Sequence, residues 1–235
     1  MNDLKSISEP IRIPTHSPLY GEVKTIGIWM SGGTDSSLLA YRLAEQLEDH
    51  DMGDIKLQPF CVRRTRPYNP FHAEAVLEWI RSQGFPNINE MITYYPDLDD
   101  PHQCDIKEFQ DRDVDNFTNG VIQIMYSGIS HNPPLDVIKS TPGWYETKSG
   151  KVQHTETNRD MLPKDIETWG HEPEHGHYIN PWSIWTKKEI AEDYKERQIM
   201  DLFPLTRSCE SDKHPTEHCG KCWWCHERKW AFGYV

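Results

Sequence analysis

A short run near the start of the chain places a strand, a glycine turn and a helix in immediate succession. Residues 26–47 read IGIWMSGGTDSSLLAYRLAEQL. Alternation puts Ile26, Ile28 and Met30 on one side of a strand and Trp29 on the other, as in a sheet covered on both faces. After the glycines the spacing becomes helical, with Leu38, Leu39, Leu43 and Leu47 on one face and Arg42, Glu45 and Glu48 opposite. The run predicts a buried strand that passes through a tight turn into an amphipathic helix.

The same succession of strands and helices continues along the chain. Further strands are predicted at residues 56–63 and 88–95 and from Val121, and helices at residues 70–83, within 105–118 and at 187–198. Gly84 follows the second helix, where a left-handed residue commonly ends a helix. Strands separated by helices favour a parallel sheet with right-handed crossovers. We therefore predict an α/β fold with a doubly wound parallel sheet.

The sequence divides the chain into three parts. Residues 1–22 are proline-rich and aperiodic, which predicts an arm on the surface. Residues 23–200 carry the strand and helix pattern, and residues 201–235 form a cysteine-rich tail. Within the α/β domain, residues 130–178 lack a clear period and include His131, His154, His171, His175 and His177. Such a long irregular insertion is typical of a lid, a partner contact or unstructured chain, and its role stays unassigned.

Charge and composition weigh against several classes of function. The 235 residues carry a formal net charge of −12. This acidity weighs against direct nucleic-acid binding, because Lys and Arg supply most of the affinity for phosphates, and the clearest basic cluster is Arg63, Arg64 and Arg66. No apolar run suits a signal peptide or a membrane span, so we expect a cytoplasmic protein without a membrane partner. In that reducing compartment the six cysteines favour metal binding or catalysis over disulfides.

The glycine turn has the features of an anion site. A strand that ends in a small-residue loop aims free backbone N–H groups and the positive end of a helix dipole at one point. Gly32 and Gly33 allow the backbone to approach a phosphate closely. Hydroxyl donors come from three serines, Ser31, Ser36 and Ser37. Asp35 would repel a phosphate unless a cation lay between them, so it indicates either Mg²⁺ or a helix cap. The spacing matches neither the Walker A loop nor the dinucleotide fingerprint.

The order S-G-G-x-D-S-S at residues 31–37 resembles the PP-loop of the ATP pyrophosphatase family. The resemblance implies that residues 23–200 bind ATP, cleave it between the α and β phosphates, and activate a substrate oxygen as an adenylate. It implies that the pyrophosphate portion is held by Ser31, Gly32, Gly33, Asp35, Ser36 and Ser37. Adenine is then expected near the carboxyl end of the next strand, at Cys61 and Val62.

The tail carries a cysteine pattern typical of a metal site. Residues 209–228 read CESDKHPTEHCGKCWWCHER. The thiolates can close a structural tetrahedral Zn²⁺ site, with Gly220 allowing a tight turn between two ligands. The four expected ligands are Cys209, Cys219, Cys222 and Cys225. Replacement of a thiolate by His214, His218 or His226 stays open, as does an iron–sulfur cluster. The isolated Cys61 and Cys104 are interpreted as core or surface residues rather than nucleophiles.

The loop and the tail together resemble the 7-cyano-7-deazaguanine synthases, ATP-dependent nitrile-forming enzymes of queuosine precursor biosynthesis. Three segments carry the resemblance: residues 31–37, the run INPWSIWTKKEI from residue 179, and the cysteine tail with its final CGKCWWCHER. The resemblance implies that Lys187 neutralises the leaving pyrophosphate, with a solvated lysine in a first helical turn as the alternative. It implies that Gly128, after the fourth strand, belongs to the nucleotide site. The family's Asp-rich substrate loop has no match in YSGISHNPPLD.

The reaction that this resemblance implies is a carbon–nitrogen ligation. The carboxylate of 7-carboxy-7-deazaguanine attacks ATP, ammonia displaces AMP to give an amide, and renewed activation dehydrates the amide to the nitrile. Asp35 and Lys187 are the implied catalytic residues, acting with Mg²⁺ and the loop amides on the growing charge. The implied partners are the deazaguanine acid and ammonia, and a homodimer is compatible with the sequence.

Two other functions stay open. A PP-loop enzyme that modifies tRNA, for example by thiolation, would share the loop and can carry zinc. It would need a basic docking face and a catalytic cysteine near the sheet, for which Cys61 and Cys104 are candidates. An inactive nucleotide-sensing or interaction module would keep the fold without turnover, and the histidine-rich insertion favours it.

Overall fold

The computed structural model describes residues 9–49, 52–63, 68–95, 115–154, 159, 177–209, 211 and 216–235. The strands are β1 (His16–Ser17), β2 (Gly21–Glu22), β3 (Thr25–Trp29), β4 (Lys56–Val62), β5 (Ile92–Tyr94), β6 (Ile124–Tyr126), β7 (Trp144–Glu146), β8 (Val152–His154) and β9 (Tyr178–Ile179). The helices are α1 (Thr34–Asp49), α2 (Asn69–Ser82), α3 (Leu135–Lys139), α4 (Lys187–Glu196) and α5 (Trp223–Phe232).

Five strands form a parallel sheet in the order β5-β4-β3-β6-β9. Chain order runs outward from β3 through β4 to β5, and then returns to the other side of β3 with β6 and β9. The reversal between β3 and β6 is the place where doubly wound sheets bind ligands, at the carboxyl ends of the strands. The predicted α/β fold with a doubly wound parallel sheet is confirmed.

Both faces of the sheet are covered, as the alternation in β3 predicted. Ile26 and Ile28 lie in the larger core together with residues of α1, α2 and α4. Trp29 faces the other way and packs against Phe60 in a smaller core. A strand with apolar neighbours on both sides reads as a nearly continuous apolar run, which is what the sequence shows.

The expectation that Arg42 lies on the solvent face of α1 is wrong. Only 3% of Arg42 is exposed, and its guanidinium donates to Asp193 Oδ2 at 2.9 Å. The rings of Trp182 and Trp185 lie 5.6 and 5.9 Å from the guanidinium carbon. Because α4 packs across α1 and supplies a buried carboxylate, the cation is paired inside the protein, and the pattern within α1 carries no sign of that neighbour.

Regions that looked aperiodic contain short regular elements. β1 and β2 form an antiparallel hairpin in the N-terminal arm, where Ile11 and Ile13 are buried. Within the insertion, α3 is followed by the antiparallel pair β7 and β8. The strand predicted at residues 88–95 pairs continuously only over β5, and Ile88 forms one isolated bridge with Leu57.

Several predicted features fall outside the described residues. They are most of the helix predicted within residues 105–118, of which 115–118 are helical, and the side chains Arg64, Arg66, Cys104, His171, His175 and His214. Among the helices that are described, none combines the length and the apolar character needed to cross a bilayer.

Candidate functional site

The loop between β3 and α1 lies at the carboxyl edge of the sheet, beside the reversal between β3 and β6. α1 begins at Thr34, and a backbone hydrogen bond joins Ser37 N–H to Gly33 C=O at 3.1 Å. The N–H groups of the helical residues before Ser37 have no partner within the helix. Together with the positive end of the helix dipole, they give this turn the geometry of an anion site.

Two glycines are required because other parts of the chain press on the loop. Gly32 has a φ of +72°, and a Cβ added to it would lie 2.7 Å from His72 Cβ and 2.9 Å from Ala73 N. Gly128 follows β6, and a Cβ there would lie 3.1 Å from the carbonyl carbon and oxygen of Asp35. The start of α2 and the end of β6 therefore enclose the loop: a side chain at Gly32 would clash, and one at Gly128 would require the Asp35 backbone to shift.

The three serines of the loop have different surroundings. Ser37 is fully buried and donates its hydroxyl to the Gly33 carbonyl at 2.7 Å. Ser36 is also buried, and its hydroxyl oxygen lies 3.1 Å from that of Ser31. Ser31 is exposed and accepts a hydrogen bond from Gly33 N–H at 3.2 Å. Ser37 and Ser36 thus hold the loop in shape, while Ser31 presents its hydroxyl at the surface.

Asp35 is bound by a lysine from the far end of the domain. Lys187 Nζ lies 2.8 Å from Oδ1 and 2.8 Å from Oδ2 of Asp35. Ser130 donates its hydroxyl to Oδ2 at 2.8 Å, and Thr34 donates to Oδ1 at 3.1 Å. The Lys187 side chain is only 5% exposed. The alternative of a solvated lysine is therefore wrong, and the two residues implied to be catalytic are in direct contact.

The position of Lys187 on its helix is unfavourable without a partner. It is the first residue of α4, where Thr186 and Glu189 form a capping box. A cation at a helix N-terminus opposes the helix dipole, and a buried ammonium loses its hydration. The carboxylate of Asp35 offsets both costs. Lys187 is thus held in the core of the protein by its contact with the loop.

A second carboxylate completes a closed ring of contacts, which we call the charge ring: Asp35, Lys187, Glu227, Arg159 and Ser130. Lys187 Nζ lies 3.8 Å from Glu227 Oε2, and Arg159 donates to Glu227 Oε1. Arg159 Nη1 donates to the Ser130 hydroxyl at 3.0 Å, which leads back to Asp35. The ring balances two carboxylates with two cations, and Glu227 is fully buried within it.

The cysteine tail is also tied to the loop through its first segment. Arg207 N–H donates to the Gly32 carbonyl at 2.7 Å. Arg228, on α5, donates to Thr206 Oγ1 at 2.7 Å and to the Phe203 carbonyl at 2.9 Å. Burial lowers the pKa of Arg228 to about 10, so it keeps its charge at neutral pH. Residues 206–209 are consequently fixed between the loop and α5.

The four predicted sulfur ligands converge on one point. The sulfurs of Cys209, Cys219, Cys222 and Cys225 all lie within 4.8 Å of one another. Two of these distances are 3.9 Å, for Cys219 with Cys225, and 4.0 Å, for Cys222 with Cys209. Tetrahedral coordination of one zinc ion would place its sulfurs about 3.8 Å apart. The four-cysteine cluster is therefore spaced for a single metal ion.

Backbone N–H groups surround the sulfurs. Cys219 Sγ accepts from the N–H groups of Lys221 and Cys222, each at 3.4 Å. Gly220, between Cys219 and Lys221, has a φ of +68°. Cys209 Sγ accepts from Cys219 N–H at 3.3 Å. Such bonds stabilise thiolate charge and orient the ligands. Gly220 adopts the left-handed conformation that the predicted tight turn requires.

Neither His218 nor His226 belongs to the four-cysteine cluster, and His214 lies outside the described residues. His218 Nε2 accepts instead from Ser208 N–H at 3.4 Å. Burial, with the positive charges of Arg228 and Arg207, lowers the pKa of His218 to about 4, so it is neutral at physiological pH. His226 is half-buried on α5 and is absent from the group of converging ligands.

Cys61 and Val62 lie at the end of β4, as expected, but they differ in solvent exposure. Cys61 is fully buried in the larger core, and its thiol lies 3.9 Å from the Val62 carbonyl. Val62 is half-buried. An adenine at this edge would contact Val62 or the backbone rather than the Cys61 thiol. A fully buried thiol is also poorly placed to act as a nucleophile on a macromolecular substrate.

Sequence reasoning missed three members of the charge ring. Glu227 stands in the quoted CGKCWWCHER run, but nothing in its spacing distinguished it from a solvated helix residue. Ser130 and Arg159 lie in the insertion, where no periodicity marks a buried side chain. The insertion therefore has a structural role that the sequence did not indicate, since it supplies two of the five members of the charge ring.

Comparison with known proteins gives similarities to solved structures alone. No family model matches the chain, and no curated protein matches it. Among solved structures, the chain is similar to the U34-tRNA thiolase NcsA from Methanococcus maripaludis with its 4Fe-4S cluster. The identity is 12% and the TM-score 0.47, over 92% of this chain and 72% of the other. A similarity of this size supports no conclusion about ligand or reaction.

Proposed function

We propose that this chain binds ATP with magnesium at the loop after β3 and transfers AMP to an oxygen atom of an acceptor, releasing pyrophosphate. The observation that carries the proposal is the contact of Asp35 with Lys187 beside the N-terminus of α1. An anion-binding turn needs no carboxylate; here Asp35 holds the Lys187 ammonium group beside the turn and offers oxygen ligands to the magnesium ion that accompanies a nucleotide. The motif S-G-G-T-D-S-S, in its strand–turn–helix context, supports the same ligand.

The proposed chemistry requires positioning and charge neutralisation from the protein. The acceptor oxygen attacks the α-phosphorus, the bond from that phosphorus to the bridging oxygen breaks, and pyrophosphate leaves with the electron pair. The loop amides and the Ser31 hydroxyl bind phosphate oxygens, and Lys187 offsets the negative charge that grows on the leaving group. Asp35 is the proposed ligand of the magnesium ion. A nitrogen or sulfur nucleophile then displaces AMP.

The acceptor oxygen defines two candidate functions. One is the carboxylate of 7-carboxy-7-deazaguanine, with ammonia as the nucleophile, and it is supported by the pairing of the loop motif with the Cys-rich tail in one chain. The other is a tRNA base that receives sulfur, the reaction named for the M. maripaludis protein. The cysteine tail contacts the loop through the Arg207 N–H bond to the Gly32 carbonyl, and this position is compatible with both candidates. Both require the same adenylation step.

We propose that the four-cysteine cluster holds one zinc ion. The sulfur spacing fits a single tetrahedral ion. In a four-iron cluster each thiolate binds a different iron, so the sulfurs would have to stand farther apart. Four sulfur ligands leave no open position on zinc, and the ion would stabilise the tail rather than take part in the reaction.

Pyrophosphate release in the presence of each acceptor tests the proposal. The protein is incubated with Mg-ATP and either the deazaguanine acid with ammonium or tRNA with sulfide. The acceptor oxygen is labelled with ¹⁸O, and the label should be recovered in AMP. Label transfer from the acid supports the first candidate and transfer from tRNA the second. Nucleotide binding without release on either acceptor supports a nucleotide-sensing module, and the absence of ATP binding contradicts the proposal.

A variant of the acid tests its assignment. Asp35→Asn preserves the shape and the hydroxyl contacts of the site but removes the charge that would hold magnesium. Because the change also removes the nearest counter-ion of the buried Lys187, we expect a folded but less stable protein that releases pyrophosphate at less than about 1% of the wild-type rate. Full activity of this variant would remove Asp35 from the reaction.

A further inference from the structure

Lys187 lies between a half-buried carboxylate, Asp35, and a fully buried one, Glu227, which hold it differently. Both oxygens of Asp35 are 2.8 Å from Nζ, whereas Glu227 Oε2 is 3.8 Å away. Glu227 is fully buried, and within the described part of the chain Oε2 has no hydrogen-bond partner. A buried carboxylate oxygen without a hydrogen bond is costly, so its position facing an ammonium group needs an explanation.

The position of Glu227 is fixed from its other side. Arg159 donates to Oε1, and the same guanidinium donates to Ser130 Oγ at 3.0 Å and to Asn132 Oδ1 at 3.2 Å. A guanidinium bound at several points is a rigid partner. Glu227 is therefore unable to approach Lys187 freely, but the lysine, on its flexible stem, can approach Glu227.

Lys187 contacts both Asp35 oxygens, which the proposed magnesium ion would also need. A carboxylate with both oxygens on an ammonium group has to release at least one of them before it can bind a cation. If Lys187 left Asp35 without another acceptor, a buried charge would be unpaired, which is strongly unfavourable. Glu227 Oε2 is the nearby acceptor that the structure offers.

We propose that Glu227 is a positioning residue that receives Lys187 when Asp35 binds the magnesium ion of the nucleotide. This inference rests on the proposed nucleotide site and extends it to a residue of the cysteine tail. Lys187 then keeps a counter-ion in both situations: Asp35 before the nucleotide binds and Glu227 afterwards. In the absence of the Glu227 charge, Lys187 would remain on Asp35 and magnesium would have to displace it.

The test is the magnesium requirement for nucleotide binding in Glu227→Gln. The amide keeps the size of the side chain and a carbonyl oxygen for Arg159 but lacks the negative charge. Binding of the α,β-methylene analogue of ATP is measured by calorimetry across a magnesium titration. We expect the half-saturating magnesium concentration to rise about tenfold, with the affinity for the analogue at saturating magnesium staying within about threefold of wild type.

Control variants separate this role from a structural one. Glu45→Gln removes a carboxylate that pairs with Arg197 away from the ring and should leave the magnesium requirement unchanged. Glu227→Asp keeps the charge but moves it away by one methylene, so we expect a smaller rise in the same direction. If Glu227→Gln fails to fold, as judged by thermal unfolding and metal content, Glu227→Asp carries the test.

The outcomes distinguish this inference from the proposed function. A wild-type protein that fails to bind the analogue at any magnesium concentration would overturn both. Wild-type binding with equal magnesium requirements in the folded Glu227 variants would overturn only the role of Glu227. In that case the residue would serve as a counter-ion for Arg159 alone.

Discussion

The loop after β3 and the four-cysteine cluster each contain a glycine turn that precedes a helix. The loop is stabilised by packing, whereas the cluster would be stabilised by a metal ion. The loop is enclosed by α2 and the end of β6, and the Ser37 hydroxyl binds the Gly33 carbonyl. At the cluster, an added Cβ on Gly220 would meet nothing within 4 Å. The loop is thus shaped by packing in the protein alone, whereas the cluster brings together four thiols that only an ion would join.

The difference predicts how each region responds to change. A packed loop tolerates no extra atoms but needs no ligand to keep its shape. The cluster has open space at Gly220 and should tolerate substitution there, but it depends on its metal. The two regions are connected, because Arg207 donates to Gly32 and Glu227 faces Lys187. Loss of the metal should therefore affect the loop, but less than it affects the tail.

The largest effect is expected from Cys222→Ser. Removing one of the sulfur ligands should lower the metal content by more than half and the free energy of unfolding by about 4 kcal/mol, because loss of a metal site is among the most destabilising effects of a single substitution. The melting temperature should then fall by about 10 °C. Nucleotide affinity should fall about tenfold, because residues 206–209 connect the metal site to the loop. Metal analysis and calorimetry provide the measurements.

The neighbouring Lys221→Ser serves as the control for that substitution. Lys221 is exposed, and its side chain is not among the converging ligands. Its metal content and melting temperature should match those of the wild type. Equal metal content in Cys222→Ser and Lys221→Ser would contradict the ligand assignment.

The next effect is on the rate of pyrophosphate release. Lys187→Met removes the buried cation beside Asp35 and should lower the rate by about a hundredfold to a thousandfold, the range found when one charge-stabilising donor is lost. Lys188→Met changes the adjacent, exposed lysine, which lies over the Trp230 ring, and should leave the rate within about twofold. Similar rates in the two variants would show that Lys187 has no role in the reaction.

A pair of glycine substitutions compares the two turns directly. Gly32 and Gly220 have similar φ values, +72° and +68°, so alanine at either position carries a strain of about 1–2 kcal/mol. Only at Gly32 does the added Cβ also collide with neighbouring atoms, at 2.7 and 2.9 Å. We expect a loss of about 3 kcal/mol or more for Gly32→Ala and about 1 kcal/mol for Gly220→Ala in denaturant unfolding. Equal losses would mean that the loop is not held by packing.

The smallest expected effects, on stability and nucleotide affinity, distinguish the roles of two serines of the loop. Ser37→Ala removes the buried hydroxyl bond to Gly33 and should lower the free energy of unfolding by about 1 kcal/mol. Because Ser31 is exposed, Ser31→Ala should change stability by less than about 0.5 kcal/mol but weaken nucleotide binding about fivefold. Calorimetric titration and denaturant unfolding of both variants measure the two effects. The reverse assignment of effects would show that Ser37 is the phosphate ligand.

Prediction from sequence succeeded where neighbours along the chain decide the structure. The strand and helix on either side of the glycines follow from alternation within a few residues, and the cluster follows from cysteine spacing. It was wrong for Arg42, because the buried partner Asp193 comes from α4. It also left the insertion without a role, although Ser130 and Arg159 contact the site from there.

The physical reason is the range over which each contact acts. A turn, a helix start and a metal-binding knuckle depend on hydrogen bonds and distances among adjacent residues, so the order of amino acids is enough to recognise them. The charge ring depends on groups that are far apart in the chain: Asp35 and Lys187 are 152 residues apart, and Arg159 and Glu227 are 68 apart. No local pattern records which charges will share a buried space. These charges are paired because the tertiary fold brings the segments after β6 and β9 and the cysteine tail to the loop. The shape of the loop itself could be predicted from the sequence.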